Sequence, residues 1–201
     1  MFITLEGIDG CGKSTQAKML YELFAHKGAL LTREPGGWDG AAALRELVLE
    51  KGLKHPWSEL FLFLLDRAEH CARLIEPALA QGRPVICERY QDSTIAYQCW
   101  GRGMELARVL DISSTLALPA PDCTVYFKIE PELALSRVNK RGRPDAFEKE
   151  GLAFMKKIDA GYAALAAKEP ARWLVIECRE DGPDEIFKRL QGALCERGLL
   201  G

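Results

Sequence analysis

The residues Gly7-Ile8-Asp9-Gly10-Cys11-Gly12-Lys13-Ser14 fit the spacing G-x-x-x-x-G-K-[ST], directly after the short apolar run Phe2 to Leu5 and directly before a helical pattern. The glycines let the backbone curl so that its N–H groups face phosphate oxygens, the helix N-terminus adds partial positive charge, and Lys13 supplies a full one. The Ser14 hydroxyl can ligate Mg²⁺. Gly7 through Ser14, with Thr15 beside them, are therefore the candidate ATP-binding residues. The loop alone licenses a nucleoside triphosphate and leaves kinase, GTPase and ATP-driven motor open, as well as a turn that merely joins strand to helix. A GTPase would read guanine through Asn-Lys-x-Asp, but Asn139-Lys140 continues as Arg141-Gly142.

Further apolar, β-rich runs recur at Ala29 to Thr32, Pro84 to Cys87, Thr124 to Ile129 and Trp173 to Ile176. Helical patterns separate them, over about Lys13 to Lys27, Gly40 to Lys51, Trp57 to Gln81, Gln91 to Trp100, Met104 to Leu116, Pro131 to Lys140, Phe147 to Lys168 and Pro183 to Arg197. Buried strands alternating with helices predict an α/β domain of the P-loop NTPase fold: a five-stranded parallel sheet with helices on both faces. The 201 residues fit one such domain, 1–201, with a short basic lid at about 137–150.

The 27 basic and 29 acidic residues leave a formal charge of -2, so there is no global field to hold a nucleic-acid backbone. The longest apolar run, Leu60 to Leu65, is far below the roughly 20 residues of a membrane span. The N-terminus lacks the pattern of an export signal. Seven scattered cysteines without a C-x-x-C pair read as reduced thiols, without zinc or disulfides, in a cytoplasmic protein.

Thr32-Arg33-Glu34-Pro35-Gly36-Gly37 closes the second strand and Glu88-Arg89-Tyr90 the third. Ligands of open parallel sheets sit outside the carboxyl ends of the strands, so Arg33 and Arg89 suggest a second anion near the phosphate loop. The alternative is that each arginine simply pairs with its neighbouring glutamate at the surface. Phe63 and Arg67, and likewise Thr94 and Gln98, are four apart and share helix faces. Taken alone, Phe63 reads first as core and Gln98 first as an exposed polar residue, while Arg67 reads equally as a solvated partner of Glu59 or Glu69.

Together these motifs resemble the thymidylate kinase family, from Phe2 to about Tyr162, with Leu44-Arg45, Ala96-Tyr97-Gln98 and Gly101-Arg102-Gly103 as further matches. The resemblance implies transfer of the γ-phosphoryl group of ATP to dTMP with Mg²⁺, and commonly a homodimer. It implies acceptor binding by Asp9, Arg33, Glu34, Arg45, Phe63, Arg67, Arg89, Thr94, Tyr97 and Gln98. In that reading Phe63 stacks on the pyrimidine, Arg67 donates to a carbonyl, Gln98 meets the imide edge and Tyr97 lies against the sugar. Arg45 and Arg89, with Arg33, take the acceptor phosphate through their planar forks. Lys13, Arg89, Arg141, Arg143 and Asp9 are the candidate catalytic residues, and Ser14 and Glu88 the metal ligands.

Two departures stand out: Glu88 replaces the family's usual aspartate, and Asp145-Ala146 stands where an Asp-Arg pair is common in the lid, so that Arg143 would substitute for the missing arginine. A deoxynucleoside kinase or another nucleoside monophosphate kinase is the neighbouring alternative, and a non-catalytic nucleotide-binding module the more distant one. The lid arginines Arg141 and Arg143 also read as a solvated basic loop, and the chain beyond Tyr162 reads as scaffold.

Overall fold

The structure, a computed structural model, describes residues 1–142 and 145–200. Five parallel strands, β1 (Phe2–Glu6), β2 (Leu30–Arg33), β3 (Val85–Glu88), β4 (Cys123–Ile129) and β5 (Trp173–Cys178), form one sheet in the order β2-β3-β1-β4-β5. The five apolar runs in the sequence are these five strands. Register sets Leu5 opposite Glu88 and Glu88 opposite Arg33, so the start of the phosphate loop and two charged strand ends lie at one level. The alternation of side chains sends Phe2, Val85 and Cys87 into a cluster with Cys71, Ile75 and Ala78. Ile3, Leu5 and Ile86 join a second cluster with Leu20 and Phe24 of α1 (Lys13–Phe24). Both faces of the sheet are thereby covered, as buried parallel strands require.

Four helical regions differ from their expected form. The helix expected over 57–81 is α3 (Pro56–His70), a π-helical turn at Cys71–Ile75, and α4 (Glu76–Ala80). Pro77 explains the break: it has no N–H and its ring crowds the carbonyl four residues back, which the wider π turn accommodates. The segment over 40–51 forms only a short α2 (Ala42–Glu46) followed by π-helical Leu47–Lys51. After β3, α5 (Gln91–Thr94) widens into a seven-residue π helix, Ile95–Gly101, which carries Tyr97 and Gln98. The remaining helices are α6 (Leu106–Ser114), α7 (Pro131–Arg141), α8 (Leu152–Lys168) and α9 (Pro183–Glu196). The helix expected from Phe147 starts later because Gly151, at φ 82°, sets off α8 from a single turn at Glu148–Glu150.

The chain from Tyr162 onward does more than support the sheet. The Tyr162 hydroxyl donates to Glu6 Oε2 at 3.2 Å, alongside the Ser93 hydroxyl, while the Tyr90 N–H donates to Glu6 Oε1 at 2.8 Å. Arg172 grips Asp92 with both terminal nitrogens, at 2.6 and 3.0 Å. Burial, and then the charge of Asp92, push the Glu6 carboxyl up to about 7.

The sign of the resulting pH dependence follows from that direction. Glu6 holds its proton in the folded chain at pH values where the unfolded chain has already lost it. Its favourable contribution is complete below the ordinary value of 4.5 and is lost as pH rises through about 7. Glu6→Gln, neutral throughout, is expected to gain melting temperature relative to the parent between about pH 5 and about pH 8, read by thermal melts across that range. Parallel profiles for parent and variant would contradict the assignment.

Candidate active site

A cleft of about 480 Å³ opens at the carboxyl ends of β1, β2 and β3, within the size range of small-ligand sites. At one end is the phosphate loop, between β1 and α1. Gly10 sits at φ 87°, and any Cβ there would run into the backbone of Ala134 in α7, so no other residue fits that turn. The Ile8 and Cys11 side chains are core, which leaves the loop's contribution to its backbone and to Lys13. The Lys13 ammonium donates to the carbonyls of Gly7 and Ile8, both at 2.9 Å. Ser14 and Thr15 are exposed on the cleft wall, and the Ser14 hydroxyl donates to Glu88 Oε2 at 2.7 Å. The longer Glu88 therefore reaches the loop.

Asp9 joins this loop to the end of β3. Its Oδ1 lies 2.7 Å from Arg89 Nη2 and 3.9 Å from Lys13 Nζ, and Tyr97 donates its hydroxyl to Oδ2 at 3.1 Å. Burial alone would raise the Asp9 carboxyl, but the Arg89 guanidinium and the Lys13 ammonium outweigh it and hold the group well below the usual carboxylate range. Arg89 itself is a non-glycine residue in the left-handed region, at φ 63°. A side chain there costs on the order of 1 kcal/mol. The surroundings fix it: its N–H donates to the Leu5 carbonyl at 3.0 Å, its Nη1 donates to Ser93 and Tyr162, both at 3.2 Å, and its guanidinium lies 5.0 Å from the centre of the Tyr97 ring. Neither Arg89 nor Arg33 pairs with its neighbouring glutamate in the manner of a surface ion pair. Glu88 faces Ser14, and Glu34 faces Arg67.

Arg33 is exposed on the cleft wall, and Arg45, at the end of α2, donates to the Pro35 carbonyl at 2.6 Å. Burial, followed by the charge of Arg33, lowers Arg45 from its ordinary value, as expected where guanidinium groups converge. This half of the cleft suits a second anion.

The opposite end is organised by α3. Arg67 is buried, donating through Nε to Glu34 Oε2 at 2.9 Å and through Nη2 to Thr94 Oγ1 at 2.8 Å. It pairs with neither Glu59 nor Glu69, which are held by Arg102 and Arg73. The other Glu34 oxygen faces His70 Nδ1 at 3.1 Å, so Glu34 anchors Arg67 and offers little to a ligand. Two buried polar atoms here have no protein partner, the Arg67 Nη1 donor and the Gln98 Oε1 acceptor, and both residues line the cleft. Phe63 and Tyr97 line the same wall, packed against Phe147 at 6.1 and 5.5 Å between ring centres.

The lid is only partly described. Arg141 pairs with Glu148 at 2.6 Å on the cleft edge, Arg137 donates to the Gly10 carbonyl at 3.4 Å, and Arg143 lies outside the described residues. Asp145 accepts from the N–H groups of Phe147 and Glu148, both at 2.9 Å, which shapes the turn beneath the lid.

Sequence reasoning passed over Asp66 and His70. Asp66 accepts from the Gly36 N–H and from the Trp38 indole at 2.9 Å, and His70 bonds Thr32 at 2.6 Å, so α3 pins the whole loop after β2. Their four-residue spacing, on one face with Phe63 and Arg67, was the available signal.

Oxygen donors from Ser14 and Glu88 beside a phosphate loop fit Mg²⁺, which takes few protein oxygens and completes its shell with water and substrate phosphates. Among the described residues no cluster of three or more His, Cys, Asp or Glu could hold a metal alone.

Comparison with known proteins agrees with this geometry. The family model described as thymidylate kinase matches residues 5–188. A thymidylate kinase of Synechococcus sp. is 42% identical over 194 residues, covering 94% of this chain and 92% of its own. One of Desulfosudis oleivorans is 43% identical over 208 residues, covering 96% of each. A crystal structure of thymidylate kinase from Ehrlichia chaffeensis superposes with a TM-score of 0.78 at 31% identity, covering 97% of this chain and 98% of that one. With its phosphate loop, its converging arginines and its pinned second-strand loop, the chain belongs to the thymidylate kinase family.

Proposed function

We propose that the chain transfers the γ-phosphoryl group of ATP to dTMP, giving dTDP and ADP. The observation that carries this reading is the unpartnered pair at the buried end of the cleft. Arg67 Nη1 is a donor and Gln98 Oε1 an acceptor, the complement of a carbonyl next to a ring N–H. That is the O4/N3–H edge of thymine. Phe63 offers a ring for the base to stack on, and Tyr97 closes the space beside the sugar. Arg33, Arg45 and Arg89 are the ligands for the acceptor phosphate, and Gly7 through Thr15 cradle the phosphates of ATP.

Phosphoryl transfer depends mainly on in-line placement and on neutralising charge on the moving group. Lys13 and Arg89 both flank Asp9 Oδ1, at 3.9 and 2.7 Å, so that carboxylate keeps the two cations close together beside that position. Arg141, with Arg143 as the second lid candidate, brings positive charge over the cleft when the lid closes and excludes water. Ser14 and Glu88 would hold Mg²⁺, which screens the phosphates and orients them. A monophosphate acceptor with a second pKa of about 6 is already largely ionised at neutral pH, so no general base is needed.

We further assign the chain as a single kinase domain acting as a homodimer in the cytoplasm. Phe61 and Leu65, each 54% exposed and four apart on α3, present an apolar surface suited to a second copy. The cysteines of the described residues are all free thiols, which suits a reducing compartment. No helix among the described residues is long and apolar enough to cross a membrane.

With Mg-ATP and a panel of thymidine, dTMP and AMP, ADP release is expected with dTMP and not with the other two. Consumption of thymidine in place of dTMP would overturn the monophosphate reading. Lys13→Ala should lower kcat by at least about a hundredfold with an unchanged circular dichroism spectrum. Sedimentation is expected to give twice the 22.4 kDa chain mass for the parent and the single mass for Phe61→Glu combined with Leu65→Glu. A monomeric parent would contradict the dimer.

A further inference from the structure

A glutamine can turn either end of its amide toward a ligand, but in Gln98 one end is already committed. The side chain is fully buried and its Nε2 donates to Glu59 Oε2 at 3.1 Å. Glu59, itself buried on α3, is gripped by Arg102, whose Nε donates to Oε2 and Nη2 to Oε1, both at 3.0 Å. A carboxylate held by a guanidinium only accepts hydrogen bonds. Reversing the Gln98 amide would set its carbonyl against Glu59 Oε2 with no hydrogen between them, in a buried site where that arrangement is most costly.

Arg102 is in turn prevented from swinging away. Its Nη1 donates to Glu150, and its guanidinium lies 4.9 Å from the centre of the Phe154 ring and 5.3 Å from that of Phe147. The segment 145–151, at the C-terminal end of the expected lid, thus helps to hold Glu59 in place.

We propose that Glu59, locked by Arg102, is the positioning residue that sets base specificity, because it forces Gln98 to show the acceptor base an oxygen and never an N–H. The inference rests on the dTMP reading of the cleft and explains how that reading is enforced. Thymine answers Gln98 Oε1 with N3–H and Arg67 Nη1 with a carbonyl. Cytosine at the same place presents a bare N3 and an amino group, so acceptor meets acceptor and donor meets donor. Both mismatches fall on buried atoms. A neutral glutamine at position 59 lifts the first of them, since it can either donate or accept and Gln98 is then free to turn over.

The test compares dTMP and dCMP as acceptors with Mg-ATP, for the parent and for Glu59→Gln. The ratio of kcat/KM for dTMP over dCMP is expected to fall at least about tenfold in the variant. The fall should come from a higher KM for dTMP and a lower one for dCMP, with kcat for dTMP within about threefold of the parent. If both acceptors lose efficiency in parallel and the ratio stays put, Glu59 is only structural and the proposal is overturned. A parent that fails to turn over dTMP at all would instead overturn the functional reading. Should Glu59→Gln not fold by circular dichroism, the parent itself decides by NMR. The Gln98 side-chain NH₂ signals, identified by their loss in Gln98→Leu, should exchange slowly with water because they face buried Glu59. Exchange as fast as that of an exposed glutamine would place the NH₂ in the cleft and contradict the proposal.

Discussion

The ion pair between Asp9 and Arg89, 2.7 Å long, joins two features that the sheet brings level but does not itself connect. Asp9 belongs to the glycine loop after β1, and Arg89 ends β3 in a conformation that an ordinary side chain avoids. The pair adds to the Leu5, Ser93 and Tyr162 hydrogen bonds that hold Arg89 at φ 63°, and ties its guanidinium to the phosphate loop. With it, Lys13 and Arg89 share one carboxylate, at 3.9 and 2.7 Å from Asp9 Oδ1. The carboxylate between them stays ionised because their charge outweighs its burial.

Around this pair the molecule buries charge in layers, and each layer orients the next. Glu6 holds Tyr90 and Ser93 behind Arg89, while Asp92, clamped by Arg172, sits behind them on α5. Glu34 holds Arg67 and His70 under the loop after β2. Glu59 holds Gln98 and is itself held by Arg102. The ion pairs among these, Asp92 with Arg172, Glu34 with Arg67 and Glu59 with Arg102, contribute little net stability over an apolar core, but losing one partner leaves an uncompensated buried charge at a cost of about 3–5 kcal/mol. Their value here is geometric, in keeping donors and acceptors aimed at one cleft.

Much of this was legible in the sequence, and the parts that were not have physical reasons. The five strands were visible because buried parallel strands read as short apolar runs bounded by turn residues. Spacing alone set Lys13, Arg33 and Arg89 at the carboxyl ends of the strands, where all three line one cleft. The π-helical stretches were not visible, since they keep a helical composition and reveal themselves only where Pro77 or the site demands a wider turn. Nor were the partners of the site residues. Glu59 stands 43 residues from Arg102, and Glu6 stands 156 from Tyr162, so no local period links them. Proximity along the chain offered Arg67 either Glu59 or Glu69, and only the fold selects Glu34.

Function enters through a mismatch between what the protein needs for its own stability and what it leaves unsatisfied. The cleft ends in a buried donor and a buried acceptor that no protein group answers, opposite an excess of guanidinium groups. On the proposed reading a nucleoside monophosphate satisfies both ends at once, with thymine as the base whose edge matches that donor and acceptor. The most direct test follows the label from γ-³²P-ATP in a single turnover with dTMP and Mg²⁺. The label is expected in the β-phosphate of dTDP at the rate at which ATP disappears. Label released as inorganic phosphate, with dTMP recovered unchanged, would contradict it.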